Sequence, residues 1–206
     1  MTVYRGWLRA VKALDLIVAG CASDQSAVKR WRAYWPLARF HLFEVEPSNV
    51  AMLQRAFGKD PRIVVNNMAL SDTVGTMEFY ANAVPMISSR MPFNRASANF
   101  VPGWGNETRM EVETTTLDAY CDAHSIGRIG LIELDVQGGE LAALQGAADL
   151  LKRKAFDALM VEVFYNELYQ GVPLEPTVSD YLAQFGYKQA VKSQLPKAGW
   201  ADIIYT

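Results

Sequence analysis

The chain has 206 residues, of which 50% are hydrophobic, so it is long enough for one domain with a single sizeable core. Its net charge is −2 and no run of basic residues occurs, which argues against nucleic acid as a partner. Two cysteines and two histidines exclude a disulfide framework and a histidine-rich metal site. We therefore expect one domain over residues 1–206, no metal and a reducing, cytoplasmic location. Every apolar run falls short of the ~20 residues of a transmembrane helix, so we expect no transmembrane segment.

Strand and helix patterns alternate along the chain, which predicts an α/β fold with a mostly parallel sheet. A short amphipathic helix over residues 1–13 is expected to pack on the sheet, with contact to a membrane as the alternative. The predicted parallel strands are residues 16–19, 40–43, 62–65, 129–134 and 158–162. The predicted helices are residues 24–34, 47–57, 140–151 and 178–185. Ser23 or Asp24 is expected to cap the first of these four helices.

Two antiparallel pairs interrupt the alternation. Residues 77–80 and 110–114 alternate with period two and predict an inserted pair. Residues 187–191 and 201–205, joined by a turn at 196–199, predict a terminal hairpin.

The long segment between the strands of the inserted pair, residues 81–109, is rich in Ser, Asn, Pro, Met and Gly. Irregular segments of this length are usually functional lids or disordered, and Phe93, Phe100 and Trp104 argue against disorder. We predict a lid over the substrate, and a solvated insertion is the alternative.

The most informative stretch is Ile132–Leu141, because a buried strand ends there in an acid and a glycine turn. Asp135 stands at the carboxyl end of the strand, where open α/β sheets bind their ligands. Gly138 and Gly139 permit a tight turn, and Glu140 falls in the first turn of the next helix. The predicted apolar face of that helix comprises Leu141, Leu144, Ala148 and Leu151. The alternative is that both acids serve only solubility and the helix dipole.

Four segments, in order, resemble the FkbM family of S-adenosylmethionine-dependent methyltransferases. They are FEVEP (43–47), NMALSD (67–72), TTLD (115–118) and LDVQGGE (134–140), the last followed by LQGA (144–147). The resemblance runs from about residue 16 to 187. It implies a Rossmann-like class I methyltransferase fold, a mostly parallel sheet that ends in a C-terminal antiparallel hairpin.

The resemblance also implies where the cofactor, S-adenosylmethionine, binds. Glu46 is placed to accept hydrogen bonds from the ribose diol, with Glu44 as the fallback and capping of the next helix as the alternative. The other predicted cofactor residues are Gly20 and Cys21 after the first strand, Asn67, Ala69 and Leu70 near adenine, and Asp135 near the methionine part. For Leu70, a role in the core is an equal alternative.

The chain departs from the family at two places. The glycine loop of the family usually reads Asp-Val-Gly-Ala-x-x-Gly, whereas residues 18–24 of this chain read VAGCASD, with Gly20 alone retained. Glu133 stands where the family commonly has lysine. Cys21 is either a thiol acidified near a helix start or, preferably, a small residue that fills a corner. The altered loop supports one alternative function, a non-catalytic binding protein with the methyltransferase fold.

The predicted activity is methyl transfer to a hydroxyl group of a sugar, in a polysaccharide or a secondary metabolite. An alcohol acceptor must lose a proton, and the candidates to take it are Asp135, Glu140 and Glu162. His124 is a weaker candidate, because it is better placed to close a helix. The predicted substrate-binding residues of the lid are Ser88, Ser89, Arg90 and Arg95.

A nicotinamide-dependent dehydrogenase is disfavoured, because no Gly-x-Gly-x-x-Gly follows the first strand. We expect a small-molecule or glycan acceptor as the partner, and the sequence leaves oligomerisation open.

Overall fold

The computed structural model describes residues 11, 14–21, 25–97, 104, 106–193 and 199–206. Apart from Val11, the predicted N-terminal helix lies outside the described residues. So do Ser23, Asp24, Phe100 and most of the predicted turn at 196–199. In the described part of the chain, no helix is long and apolar enough to cross a membrane.

The strands form two sheets. In chain order the strands are β1 Asp15–Ala19, β2 Arg39–Phe43, β3 Ile63–Asn66, β4 Ala69–Leu70, β5 Gly75–Asn82, β6 Glu107–Thr115, β7 Ile129–Leu134, β8 Phe156–Phe164, β9 Gln189–Lys192 and β10 Trp200–Tyr205. The larger sheet has the order β3-β2-β1-β7-β8-β10-β9, and the smaller has the order β4-β6-β5. All neighbours from β3 to β8 pair in parallel, and β10 pairs antiparallel with both β8 and β9. The predicted parallel sheet and its terminal hairpin are both confirmed.

The helices connect the strands and cover both faces of the sheet. They are α1 Ser26–Tyr34, α2 Pro47–Phe57, α3 Leu117–Ala123, α4 Glu140–Gln145, α5 Ala148–Lys152 and α6 Glu175–Gln184. The predicted cap of α1 is wrong, because the helix begins at Ser26 and its N-cap residue is Gln25.

The predicted helix over 140–151 is also wrong as a single helix, because it divides into α4 and α5 at Gly146. A Cβ atom on Gly146 would stand 2.0 Å from the carbonyl oxygen of Ser71, so only glycine fits where the two backbones meet. Of its predicted apolar face, Leu144 and Leu151 are fully buried.

Among the described residues, two of the three clusters of buried side chains lie on opposite faces of the larger sheet, and the third surrounds Phe93 and Tyr169. Alternate residues of β1 point to opposite faces, so Ile17 joins one cluster while Leu16 and Val18 join the other. Every residue of β1 and β7 is buried, as expected for central strands of a parallel sheet.

Two residues of the TTLD motif, Thr116 and Asp118, cap helices that pack on one face of the larger sheet. The hydroxyl of Thr116 accepts a hydrogen bond from the backbone N–H of Ala119 and caps α3. The carboxylate of Asp118 accepts from the N–H groups of Asp149 and Leu150, each at 3.0 Å, and so caps α5. The motif therefore joins two helices beneath the sheet, away from the strand ends.

The inserted pair, β5 and β6, is antiparallel as predicted, and the short β4 beside it is an addition that the sequence did not indicate. The predicted lid is shorter than 81–109, because β5 extends to Asn82 and β6 begins at Glu107. Phe93 of the lid is buried against Tyr169, with ring centroids 4.9 Å apart.

Candidate functional site

A cavity of about 590 Å³ lies along the carboxyl ends of the parallel strands. Its floor follows the order of the sheet, since Glu46 follows β2, Gly20 follows β1 and Asp135 follows β7. Glu162 of β8 and Asp202 of β10 continue the same row. The strand order therefore brings five positions that are distant in the sequence into one line, four of them acids and one a glycine.

The acid predicted to hold a ribose lies on this line. Glu46 is half-buried in the cavity wall, and Oγ of Ser88 donates a hydrogen bond to its Oε1 at 2.5 Å. Glu44 also lines the cavity, but its Oε1 accepts from the backbone N–H groups of Val45 and Glu46 at 2.8 and 2.9 Å. Glu44 thus shapes the turn that presents Glu46.

An apolar slot lies beside Glu46, as adenine would require. It is formed by Met68, Ala69, Leu70, Met77 and Phe79. Asn67, which was also predicted to contact adenine, lies outside the lining of the cavity. Its Nδ2 donates to the carbonyl oxygens of Glu44 and Val45 at 3.2 and 3.1 Å, so Asn67 holds the same turn.

The end of β1 contributes Gly20 and Cys21 to the cavity. Sγ of Cys21 donates to the carbonyl oxygen of Val18 at 3.2 Å. Burial, together with the nearby carboxylates of Glu44 and Glu133, raises the pKa of this thiol well above its ordinary value. A thiol that holds its proton so firmly is a poor nucleophile, so the interpretation of Cys21 as a small filler is the better one.

Two carboxyl groups at the centre of the cavity are joined by one amide. Nε2 of Gln137 lies 2.7 Å from Oδ1 of Asp135 and 2.7 Å from Oε2 of Glu162. The hydroxyl of Tyr169 donates to Oε1 of the same amide at 2.7 Å, which fixes its orientation. Gln137 adopts a left-handed backbone conformation with φ 53°, an uncommon conformation for a residue other than glycine.

This environment raises the pKa values of both acids, Asp135 and Glu162, but to different extents. Asp135 is exposed to the water of the cavity, yet protein surrounds the cavity, and this partial desolvation raises the pKa of Asp135 to about 6. Glu162 is 7% exposed, and burial followed by the charge of Asp135 raises its pKa well above the ordinary value. Burial thus acts on both acids, and the charge of Asp135 adds to the shift of the pKa of Glu162.

Glu140 does not reach the cavity, although it was predicted to act beside Asp135. Its carboxylate is 3% exposed and turns back into the glycine turn, where it accepts from the N–H groups of Val136 and Gly138 at 2.9 Å each. Burial raises the pKa of Glu140 to about 8. The structure therefore gives Glu140 a role in shaping the turn and not in contacting a substrate.

The far end of the cavity lies next to the terminal hairpin. Trp200 and Asp202 of β10 line that end, and Trp104 and Arg90 of the predicted lid also line the cavity. Of the four lid residues predicted to bind substrate, Ser88 and Arg90 line the cavity, and Ser89 and Arg95 do not. Oγ of Ser89 instead donates to the carbonyl oxygen of Gln137 at 2.5 Å, so the predicted lid is hydrogen-bonded to the turn after β7.

A third wall of the cavity comes from α1, where Arg30 forms an ion pair with Glu133. Nη2 of Arg30 lies 2.5 Å from Oε1 of Glu133, and Nε1 of Trp31 donates to Oε2 of the same carboxylate. Burial raises the pKa of Glu133, although the charge of Arg30 and both hydrogen bonds oppose the shift. The unusual acid of the sequence is thus satisfied by a cation and an indole of one helix.

His124 lies away from this site. It is the C-cap residue of α3, as predicted, and its ring stacks on Tyr120 with centroids 4.1 Å apart. Among the described residues, no group of His, Cys, Asp and Glu side chains is arranged to hold a metal ion.

Sequence reasoning missed four residues of the site: Arg30, Gln137, Trp200 and Asp202. Two of them had a signal. Gln137 lies within the most informative motif, and Asp202 is an acid inside an otherwise apolar strand pattern. Trp200 and Arg30 had none, because only the register of β10 on β8 and the position of α1 bring them to the cavity.

Comparison with known sequences agrees with this geometry. A sequence model described as the Methyltransferase FkbM domain matches residues 22–188. A 2-O-methyltransferase named NoeI, from Sinorhizobium fredii, is 28% identical over 195 residues, which cover 90% of this chain and 76% of that protein.

Solved structures show the same fold at low identity. Fibrillarin from Aeropyrum pernix, crystallised with S-adenosyl-L-methionine, superposes with a TM-score of 0.52 at 11% identity, over 96% of this chain and 68% of fibrillarin. An O-methyltransferase family protein from Burkholderia thailandensis gives 0.51 at 7% identity, over 98% of this chain and 55% of that one. The predicted Rossmann-like class I methyltransferase fold is confirmed. Because the family match spans most of the chain and contains all four motifs, this protein belongs to the FkbM family of S-adenosylmethionine-dependent methyltransferases.

Proposed function

We propose that the protein transfers a methyl group from S-adenosylmethionine to a hydroxyl group of a sugar, in a polysaccharide or a secondary metabolite. The observation that carries this proposal is the line of side chains along the strand ends. Glu46 stands at one end, Asp135 and Glu162 in the middle, and Trp200 at the other end. A cofactor half and an acceptor half thus share one cavity, with the acids between them.

The cavity fits the cofactor in size and chemistry. Its volume of about 590 Å³ is in the usual range for sites of small organic ligands. The carboxylate of Glu46 suits a ribose diol, and the slot around Ala69 and Leu70 suits adenine. Gly20 leaves backbone and no side chain at the floor, where the methionine part would lie.

Asp135 supports the proton transfer that an alcohol acceptor requires. When bound, S-adenosylmethionine would supply a methyl group on a sulfonium, whose S–CH3 bond breaks to release the neutral thioether S-adenosylhomocysteine, so alignment and exclusion of water would do much of the catalysis. The acceptor oxygen gains the methyl group and must release its proton. A carboxylate with a pKa of about 6 is mostly ionised at neutral pH and accepts that proton, while Gln137 holds it in place.

The acceptor half suits a sugar. Trp200 and Trp104 offer aromatic surfaces for the C–H faces of a sugar ring, and Asp202 and Glu162 offer oxygens to its hydroxyl groups. The similarity to a protein named as a 2-O-methyltransferase supports oxygen as the methylated atom.

Calorimetry with S-adenosylhomocysteine, followed by transfer of isotopically labelled methyl to a panel of sugars, tests the proposal. We expect the product cofactor to bind and the label to appear on a sugar hydroxyl. Failure to bind S-adenosylhomocysteine would contradict the proposed activity and favour the non-catalytic binding protein. Transfer to amines or carboxylates alone would overturn the assignment of the acceptor.

A further inference from the structure

Arg30 of α1 forms part of the cavity wall beside the end of β1, where Gly20, Cys21 and Ala27 also line the cavity. Its side chain is 32% exposed, so part of the guanidinium faces the cavity and part faces the protein. Two residues contact the part of the guanidinium that faces the protein, Glu133 and Trp31. Glu133 accepts from Nη2 at 2.5 Å, and the guanidinium carbon lies 4.7 Å from the centre of the Trp31 ring.

The guanidinium has hydrogen-bond donors left over. An arginine side chain carries five N–H bonds, and Glu133 accepts from one of the two on Nη2. Nε of Arg30 is buried and has no acceptor among the described residues. Because Nε is closed off from the cavity, the donors that a ligand can reach are those of the terminal Nη1 and Nη2 nitrogens, on the exposed part of the side chain.

The order of the sheet indicates which part of the cofactor meets Arg30. The adenine slot and Glu46 lie at the β3 and β2 side of the cavity. The part of the cofactor beyond the ribose must then lie over β1 and β7. Arg30 stands at this position, since it pairs with Glu133 of β7 and borders the end of β1 at Gly20.

The methionine part of the cofactor carries a carboxylate that needs donors. In related proteins a glycine-rich loop supplies backbone N–H groups for an anion, but here that loop retains Gly20 alone and places Asp24 where a glycine is usual. An aspartate at the end of the loop adds a like charge. A cation on the cavity wall can replace the lost donors.

We propose that Arg30 binds the carboxylate of the methionine part of the cofactor and that Glu133 holds the guanidinium in position. The proposal rests on the proposed function, because it requires S-adenosylmethionine in the cavity. A planar guanidinium matches a carboxylate with two parallel hydrogen bonds, and Nη1 together with the second N–H of Nη2 can serve the ligand while the first N–H of Nη2 remains on Glu133. The presence of Glu133, where the family commonly has lysine, is then explained by its role in positioning the guanidinium of Arg30.

Two ligands separate this role from a general effect on the cavity. S-adenosylhomocysteine carries the carboxylate, and 5′-methylthioadenosine has the same adenine, ribose and sulfur without the amino-acid part. Arg30→Gln alone would leave the Glu133 carboxylate buried without its cation, so the useful comparison is the Arg30→Gln/Glu133→Gln double variant against Glu133→Gln. Both of these proteins lack the buried carboxylate of Glu133, and they differ only at residue 30.

Calorimetry should show that the double variant binds S-adenosylhomocysteine at least about tenfold more weakly than Glu133→Gln, as loss of a charge-assisted pair implies. Binding of 5′-methylthioadenosine should be equal in the two variants. Arg32→Gln is the matched control, because Arg32 lies on the same helix, pairs with Asp60 at 2.8 Å and stays outside the cavity lining. It should bind both ligands as the unaltered protein does.

Equal weakening of both ligands would overturn the proposal, since it would indicate damage to the whole cavity. Unchanged binding of S-adenosylhomocysteine in a folded double variant would overturn it too, and thermal unfolding of each protein reports the folding. If the unaltered protein binds neither ligand, the proposed function itself fails. If it binds both and the variants behave alike, only the role of Arg30 fails.

Discussion

A Cβ atom on Gly20 would stand 1.7 Å from the carbonyl oxygen of Asp135. The backbone of Gly20 has φ 79°, and the N–H of Asp135 donates to the carbonyl oxygen of Ala19 at 3.2 Å. The ends of β1 and β7 are therefore in direct backbone contact at the floor of the cavity. This contact explains why the altered loop of this chain retains a glycine at this position, whatever donors the loop still supplies to a ligand.

Replacement of Gly20 by alanine should lower the thermal midpoint and abolish binding of S-adenosylhomocysteine. The left-handed conformation alone costs an ordinary residue about 1–2 kcal/mol, and the clash with backbone adds to it. Gly127→Ala is the control, because a Cβ there meets nothing within 4 Å and the residue has no positive φ. Equal midpoints for both variants would contradict the tight contact.

Replacement of Glu46 by alanine should weaken binding of S-adenosylhomocysteine at least tenfold and leave the fold intact. A charge-assisted hydrogen bond is worth about 1.5–3 kcal/mol, which corresponds to that loss of affinity. The fold should survive because Glu46 is half-buried at the start of α2, where Pro47 already supports the first turn. A folded variant with unchanged affinity would remove Glu46 from the cofactor site.

Asp135→Asn should lower turnover strongly and Glu140→Gln should not, although the two acids lie in one motif. Asp135 lines the cavity, so its loss should reduce turnover by about 10²–10⁴-fold, the usual contribution of a general base. Glu140 contacts only the turn, so Glu140→Gln should leave turnover per folded molecule nearly intact. Rates with a sugar acceptor, measured beside thermal midpoints, decide this; a large loss of turnover in a stable Glu140→Gln protein would return Glu140 to the catalytic centre.

Glu140 also predicts a dependence of stability on pH. Its pKa is about 8 in the folded protein against 4.5 for an ordinary glutamate, so the folded state holds the proton more tightly. The stabilisation is complete below the ordinary pKa of 4.5 and is lost as the pH rises through about 8. Glutamine does not ionise, so Glu140→Gln should show a smaller fall in the free energy of unfolding between about pH 5 and about pH 9. Urea titrations at both pH values measure it, and an equal fall in both proteins would refute the shift.

Replacement of Trp200 by alanine should raise the KM for a sugar acceptor and leave the affinity for S-adenosylhomocysteine unchanged. The indole lines the cavity next to Asp202, at the opposite end from Glu46. Loss of an aromatic contact costs about 0.5–1.5 kcal/mol beyond the buried area, so the KM should rise several-fold or more. A parallel loss of cofactor affinity would show that the two halves of the cavity are not separate.

The lid remains a prediction that limited proteolysis can test. Two of its described residues contact the rest of the cavity: Ser88 donates a hydrogen bond to Glu46, and Ser89 donates one to the carbonyl oxygen of Gln137. Ligands bound beneath the lid should add contacts to it, so S-adenosylhomocysteine with a sugar should slow cleavage between residues 83 and 106. Cleavage at the same rate with and without ligands would favour a simple insertion.

The sequence predicted the layout of the site better than the direction of its side chains. Asp135 was found because an acid after a buried strand of a parallel sheet must face the ligand crevice. The direction of the Glu140 carboxylate could not be predicted, because distance along the chain does not say where a side chain points, and the positive φ angles of Gln137 and Gly138 bend the turn so that Glu140 meets the N–H groups of Val136 and Gly138. Asp202 could not be placed, since only the register opposite Glu162 brings it to the cavity.

The terminal hairpin divides the cavity between two stretches of the chain. Every residue proposed to hold the cofactor precedes Gly138, whereas Trp200 and Asp202 belong to the final strand, β10. The antiparallel pairing with β8 ties this strand to the sheet through backbone groups, which do not depend on its side-chain identities. Exchange of residues along β10 would therefore change the side chains at that end of the cavity while the pairing of the strands, and with it the sheet, is retained.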